Sequence, residues 1–309
     1  MTKTFLITGG TGFIGSNIAK SLVLKGQKVI IFDNNYRGSI KKIKDFRNKI
    51  KFIKGDIRKE NDLLKAAKRV NTIIHLAYIN GTKFFYSKPE LVLEVAVKGI
   101  LNVFEVCRKK KIKELFIASS SEVYQTPNKI PTDEMEMLKV PDVFNPRYSY
   151  GGGKILSELM GINYGKKFFK KLIIFRPHNV YGPNMGNEHV IPEFVSKMRK
   201  KNNYFKIEGS GEEIRSFIHI DDFISAFQLI LKKGKHLNIY NIGTSEKIKI
   251  KDLAKLISNI FLKNIKIKRS PIKKGGTKIR LPSINKIKKL GFKQTLSLKQ
   301  GLKKLILSY

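Results

Sequence analysis

Apolar residues in the first part of the chain recur in two alternating rhythms. Short, near-continuous apolar runs at Thr4 to Thr8, Lys28 to Phe32, Ile50 to Lys54, Thr72 to Leu76, Glu114 to Ala118 and Lys171 to Arg176 predict β-strands. Three-to-four spacing between them predicts helices at about Ile14 to Lys25, Leu63 to Ala67, Pro89 to Lys110 and Tyr150 to Phe168. Strands apolar on both faces and alternating with helices describe an α/β fold, a doubly wound parallel sheet covered on both sides.

After Arg176 the texture changes. Pro- and Gly-punctuated loops surround a predicted helix at about Ile191 to Lys200, a short strand at Tyr204 to Ile207 and a Gly-Ser-Gly turn at 209–211. Leu237 to Ile242 reads as another strand and Ile250 to Phe261 as an amphipathic helix. The expected organisation is a first domain over 1–176 and a smaller C-terminal α/β substrate domain over 177–309, with part of 215–245 returning to the first.

Composition narrows the class. With 309 residues and 41% hydrophobic content, the chain can bury one large core or two modest ones. Its longest apolar runs are strand-sized, far short of the ~20 residues of a bilayer span, so no integral membrane segment is expected. The first strand and glycine loop begin too early for a cleavable signal, which points to a cytoplasmic location. The single cysteine, Cys107, sits in a helical apolar pattern and reads as a packed core residue. A net charge of +38 invites a nucleic-acid reading. Only eleven of the 62 basic residues are arginine, however, and the lysines are scattered, so solvated faces are expected and no nucleic-acid partner. The densest basic runs, Arg108 to Lys111 and Lys263 to Lys274, could attract an acidic partner or an anionic surface.

Gly9, Gly12 and Gly15 stand between the first strand and the first helix, and Gly10, Gly12 and Gly15 satisfy G-x-G-x-x-G. Glycine permits the tight turn and a close approach of backbone to pyrophosphate, while the helix amino terminus offers unpaired N–H groups to the negative charge. In this context the motif is the Rossmann dinucleotide fingerprint. Asp33 ends the second strand, where a carboxylate accepts from the adenosine ribose hydroxyls. It favours NAD over NADP, although Arg37 lies nearby.

Tyr150 and Lys154 are four apart in a helical pattern and share a face. An ammonium beside a phenol lowers the phenol pKa and makes it a base for a sugar hydroxyl. Alone, Y-x-x-x-K is a common accident of surface helices. Two features strengthen it. Ser119, Ser120 and Ser121 follow the strand Glu114 to Ala118 at its carboxyl end, where open α/β sheets place their ligand crevices. Three glycines, Gly151, Gly152 and Gly153, also occupy a helix at ~1 kcal/mol each relative to alanine, which implies a close approach by cofactor, substrate or a partner helix.

Further segments complete a pattern: GGTGFIG at 9–15, FDN at 32–34, GDIR at 55–58, HLA at 75–77, SSSEVY at 119–124, YGGGK at 150–154, RPHNVYGP at 176–183, RSFIHIDD at 215–222 and YNIG at 240–243. In this order and spacing the chain resembles the extended short-chain dehydrogenase/reductases of the NAD-dependent epimerase/dehydratase type, which modify nucleotide sugars. The resemblance implies NAD held by Gly9, Gly12, Phe13, Ile14, Gly15, Asp33, Asn34, Asp56, Ile57, Leu76 and Ala77. It implies Tyr150 as base, Lys154 on the nicotinamide ribose and Ser120 as the catalytic hydroxyl. Ser121 is expected near substrate, and Asn179, Arg215 and Arg280 match positions that hold the nucleotide diphosphate, which suits guanidinium forks. Two departures are Gln125, where a glycine commonly follows the V-Y, and the glycines before Lys154.

Similar enzymes begin by oxidising the sugar, usually at C4, to a keto sugar. An epimerase then returns hydride to the other face, whereas elimination needs an additional acid and base. Glu122 stands where similar 4,6-dehydratases and decarboxylases carry a glutamate, and Ser121 replaces the aspartate of one dehydratase group. A nucleotide-sugar 4-epimerase or 4,6-dehydratase is the leading expectation. A decarboxylase, a non-catalytic dinucleotide sensor and an RNA-binding relative are the alternatives. The resemblance also implies a homodimer through the helices near Pro89 to Lys110 and Tyr150 to Phe168.

Overall fold

The computed structural model describes residues 2–186, 188–199, 204–263, 266–271 and 275–308. Lys200, the end of one expected helix, and residues 264, 265 and 272–274 of the second basic run lie outside the described residues.

In chain order the strands and helices begin with β1 (Thr4–Thr8), α1 (Phe13–Leu24), β2 (Lys28–Asp33), β3 (Lys51–Lys54), α2 (Glu60–Ala66), β4 (Thr72–His75), α3 (Thr82–Ser87) and α4 (Pro89–Lys109). They continue with β5 (Glu114–Ala118), α5 (Tyr148–Phe168), β6 (Lys171–Pro177), β7 (Val180–Tyr181), α6 (Val190–Arg199), β8 (Tyr204–Glu208), β9 (Ile214–Ser216) and β10 (Ile218–His219). The last are α7 (Ile220–Lys233), β11 (Asn238–Ile242), β12 (Lys247–Lys249), α8 (Ile250–Ile260), β13 (Lys266–Ser270), β14 (Ile279–Arg280), α9 (Asn285–Lys289) and α10 (Leu298–Leu307). Every expected strand and helix is present, with ends displaced by at most three residues. The short helix α3 and the helices α7, α9 and α10 are additional.

Two compact units emerge. The first comprises Met1–Val123, Val140–Arg176 and Ile230–Tyr240. Its sheet has seven strands in the order β11-β6-β5-β4-β1-β2-β3. Strands β3 through β6 pair in parallel, Leu6 facing Ile30 on one side and Ile73 on the other. Leu6, Ile73, Leu115 and Leu172 are fully buried and pack with Val92, Ile100 and Val103 of α4, which is why these strands read as unbroken apolar runs. The chain runs outward from β1 to β2 and β3 and then crosses back to β4 on the other side of β1, a reversal of strand order of the kind that leaves a crevice at the carboxyl ends of the strands.

The second unit comprises Tyr124–Lys139, Pro177–Leu229 and Asn241–Tyr309. Phe194 and Val195 of α6, Leu253 and Ile257 of α8, and Leu302 and Leu305 of α10 form its core. Helix α10 starts with a capping box in which Ser297 and Gln300 satisfy each other's backbone amides. A small sheet in the order β12-β9-β14 sets Arg215 directly beside Arg280. Asn241 ties segments together, accepting from the Tyr124 hydroxyl at 2.9 Å and donating to the Thr132 carbonyl at 3.1 Å. Among the described residues no helix is long and apolar enough to cross a membrane.

Candidate active site

Strand β1 delivers the chain to Gly9, whose φ of +71° and close approach to Ala77 exclude a side chain; a Cβ there would lie 2.7 Å from the Ala77 nitrogen. At Gly15 a Cβ would lie 2.3 Å from the Gly9 carbonyl oxygen. Gly12 precedes α1 without a side-chain cap, and half-buried Phe13 and Ile14 form the first turn. The amino-terminal amides of α1 are therefore not taken up by a capping side chain.

At the end of β2, buried Asp33 accepts the Thr11 amide at 3.0 Å and the Asn35 amide at 2.8 Å, which holds the carboxylate against the glycine loop. Asn34 beside it is exposed. The Arg58 guanidinium grips Asp56 at 2.7 Å and holds its carboxyl below the usual range despite partial burial. Ile57 is buried, its carbonyl accepting from Asn102 at 2.8 Å. After β4 the Leu76 and Ala77 amides both donate to the Thr8 hydroxyl at 3.2 Å. Gly9, Gly12, Asp33, Asp56 and Ala77 line one cavity, which Arg37 and Tyr78 also reach.

Helix α5 places Tyr150 and Lys154 one turn apart. Both are buried, and Lys154 Nζ donates to the carbonyl of Ala118, the last residue of β5, at 2.6 Å. Burial pushes the Lys154 ammonium down to about 7, with Glu158 one turn further on pulling the other way. The Tyr150 ring stacks on Phe85 at 4.9 Å and meets Tyr78 edge-on at 5.2 Å. Ser119, Ser120 and Ser121 follow Ala118 directly, so the lysine contact lies two residues from Ser120. The Ser120 hydroxyl accepts the Glu122 amide at 3.1 Å; Ser121 is buried and Glu122 half-buried. Lys154 thus meets the start of the serine segment at the carboxyl end of β5, with Tyr150 one turn earlier on α5.

Sequence reasoning missed what stands behind them. Glu158 accepts from the Ser119 hydroxyl and is gripped by Arg176 through Nε at 2.8 Å and Nη2 at 2.5 Å, all buried. Glu158 follows Lys154 by one helical turn and Arg176 is one of few arginines, two signals that could have drawn attention. His75, inside a quoted motif, pairs with Thr8 at 2.8 Å, and burial beside Lys154 pushes it down to about 3.

Within the second unit, Asn179 adopts φ +39° and donates to the Ser216 carbonyl at 2.8 Å. Neighbouring Arg215 donates to the carbonyls of Ile214 and Thr277, the latter at 2.7 Å, while Arg280 reaches the Thr277 hydroxyl at 3.3 Å. The three residues expected around a diphosphate therefore share one small sheet and its margin.

A family model described as the NAD dependent epimerase/dehydratase family matches residues 5–243. The chain belongs to that family. The dTDP-D-glucose 4,6-dehydratase of Dictyostelium discoideum is 33% identical over 277 residues, covering 84% of this chain and 62% of that protein, so the chain spans less than two thirds of it. The UDP-N-acetyl-alpha-D-glucosaminuronate decarboxylase of Bacillus cytotoxicus is 31% identical over 318 residues, covering 99% and 97%. The UDP-glucose 4-epimerase of Thermotoga maritima, solved with UDP-glucose, superposes with a TM-score of 0.90 at 26% identity, covering 98% and 97%. Membership of this NAD-dependent epimerase/dehydratase family places the chain in the enzyme superfamily of nucleotide-sugar epimerases, dehydratases and decarboxylases, whose cofactor is NAD.

Proposed function

We propose that the chain oxidises a nucleotide-activated hexose at C4 with bound NAD, passing through a 4-keto sugar on the way to 4-epimerisation or 4,6-dehydration. One observation carries this reading. Buried Lys154 is tied to the last carbonyl of β5, with Tyr150 one turn away on α5 and Ser120 two residues beyond that carbonyl.

The residues fit the cofactor. A Cβ at Gly9 or Gly15 would strike backbone, and the uncapped turn of Gly12, Phe13 and Ile14 suits a pyrophosphate. Asp33 and Asn34 would take the adenosine ribose, Asp56 and Ile57 would flank the adenine, and Leu76 and Ala77 would border the middle of the dinucleotide. NAD supplies the hydride acceptor when bound.

Tyr150 takes the proton of the C4 hydroxyl at its phenolic oxygen, and Lys154 stabilises the phenolate while holding the nicotinamide ribose. Ser120 hydrogen-bonds the same sugar oxygen as it becomes a carbonyl. Ser121 borders the sugar. Asn179, Arg215 and Arg280 hold the diphosphate, where two adjacent guanidinium groups offset their mutual repulsion on shared phosphate oxygens. Exposed Leu93 and Leu101 of α4 and Leu159 of α5 support a homodimer through these helices, testable by sedimentation.

Epimerisation requires no further acid or base. The dehydratase reading gains from Glu122, whose amide donates to the hydroxyl of Ser120 at 3.1 Å and whose carboxyl is the additional acid or base that elimination requires. Incubating the NAD-loaded protein with UDP-, GDP-, CDP- and dTDP-sugars and weighing the products separates the outcomes. Loss of water marks a dehydratase, loss of carbon dioxide a decarboxylase, and unchanged mass with new stereochemistry by NMR an epimerase. Tyr150→Phe should lower turnover by about 10²–10⁴-fold. Unimpaired turnover in that variant would overturn the mechanism.

A further inference from the structure

Tyr78 lies three residues beyond β4 and has no part in the mechanism above. Its ring centroid is 3.8 Å from Lys154 Nζ, and the ring stands perpendicular to Tyr150 at 5.2 Å between centroids. Its hydroxyl is buried and finds no hydrogen-bond partner among the described residues. That hydroxyl points at Gly153, where a Cβ would lie 2.2 Å from the oxygen and 2.7 Å from the Ala96 Cβ. The third glycine of α5 is thus explained by what packs on it. At Gly152 the nearest atom to a Cβ, in Val140, would be 3.5 Å away, so that glycine answers no such need.

We propose that Tyr78 is a positioning residue of the Tyr150 and Lys154 pair, its ring face receiving the Lys154 ammonium while bare Gly153 seats its hydroxyl. This rests on reading Tyr150 and Lys154 as the catalytic pair. A cation over an aromatic face is attracted by the ring quadrupole, and more strongly when water is excluded. The other groups around the ammonium leave room for this role. His75 on β4 is kept neutral by burial, the Glu158 carboxylate on α5 is answered by Arg176 on β6, and Tyr150 is itself the group to be ionised. Besides the Ala118 carbonyl, two aromatic faces meet the ammonium, and Tyr78 is much the nearer: its centroid lies 3.8 Å from Nζ against 5.9 Å for Tyr150. The ring carries the interaction and the unpartnered hydroxyl does not, so phenylalanine should serve and an aliphatic side chain should not.

Leucine or methionine at 78 keeps apolar bulk over Lys154 but lacks the quadrupole, so the expected change has one sign: the lysine gives up its proton more readily. The test follows Lys154 directly in NAD-loaded protein carrying isotope-labelled lysine, by side-chain NMR across a pH series, with Lys154→Met identifying the signal. Tyr78→Phe should leave the Lys154 titration at its wild-type position. Tyr78→Leu and Tyr78→Met should lower it by about half to one pH unit. An unchanged titration in both aliphatic variants, or one that rises because the ring only excludes water, overturns the proposal. The readout needs no turnover and is distinguishable from failure of the catalytic reading, which would appear as sugar-nucleotide conversion surviving Tyr150→Phe.

Discussion

Lys154 donates to the carbonyl oxygen of Ala118 across 2.6 Å, in surroundings that push its ammonium down to about 7. An unfolded lysine titrates near 10.5, so between these values the unfolded chain binds the extra proton and stability rises with pH. Below about pH 7 the full penalty of burying the charge applies; towards 10.5 it fades. Lys154→Met should therefore stabilise the fold at or below neutral pH by about 2–4 kcal/mol, less the lost hydrogen bond, while removing turnover. Thermal melts across this range check it: the gap between variant and wild type should close as pH rises, and a gap independent of pH would contradict the assignment.

The buried group of Ser119, Glu158 and Arg176 gives a second expectation. Ser119→Ala removes one hydrogen bond to a charged acceptor and should cost about 1.5–3 kcal/mol. Arg176→Ala leaves the Glu158 carboxylate buried without its counter-charge and should cost about 3–5 kcal/mol. Replacing both members with apolar residues, Glu158→Leu with Arg176→Met, should cost less than Arg176→Ala alone. Urea unfolding of the three proteins decides the order.

Gly15 and Gly9 touch each other's backbone, so Gly15→Ala must displace the turn that faces the cofactor. A distortion of about 1–3 kcal/mol corresponds to roughly 5- to 150-fold weakening of NAD binding, measurable by calorimetry. Binding at wild-type strength would mean that the loop does not hold the pyrophosphate.

The neighbouring glycines of α5 should respond in opposite directions. Gly152→Ala has room and should add up to about 1 kcal/mol of stability through helix propensity. Gly153→Ala meets the Tyr78 hydroxyl and Ala96 and should cost about 1–3 kcal/mol. Combining it with Tyr78→Phe should recover part of that loss, because without the hydroxyl the nearest ring atom of residue 78 lies at an ordinary 3.5 Å. Denaturant titrations of the double mutant against the singles measure the coupling.

The strands of the first unit were legible because β1, β4, β5 and β6 are buried on both faces and leave unbroken apolar runs. The additional helices were harder to read. Helix α7 carries Asp221 and Asp222 in its first turn and Lys232 and Lys233 in its last, a charge order matching the helix dipole, and α10 opens with a capping box. Both signals were present but lay beneath a loop-like texture of glycine, proline and lysine.

Local order along the chain was enough to determine the strands, the glycine turn after β1 and the shared helical face of Tyr150 and Lys154, since each depends on neighbours within a turn or a strand. Only the tertiary structure decided that Glu158 meets Ser119 across 39 positions and Arg176 across 18, that Arg215 lies beside Arg280, and that Tyr78 fills the space left by Gly153. Periodicity records which side chains avoid water. Which of them touch is set by how sheet and helices pack, and the ammonium of Lys154 acquires its character from that packing.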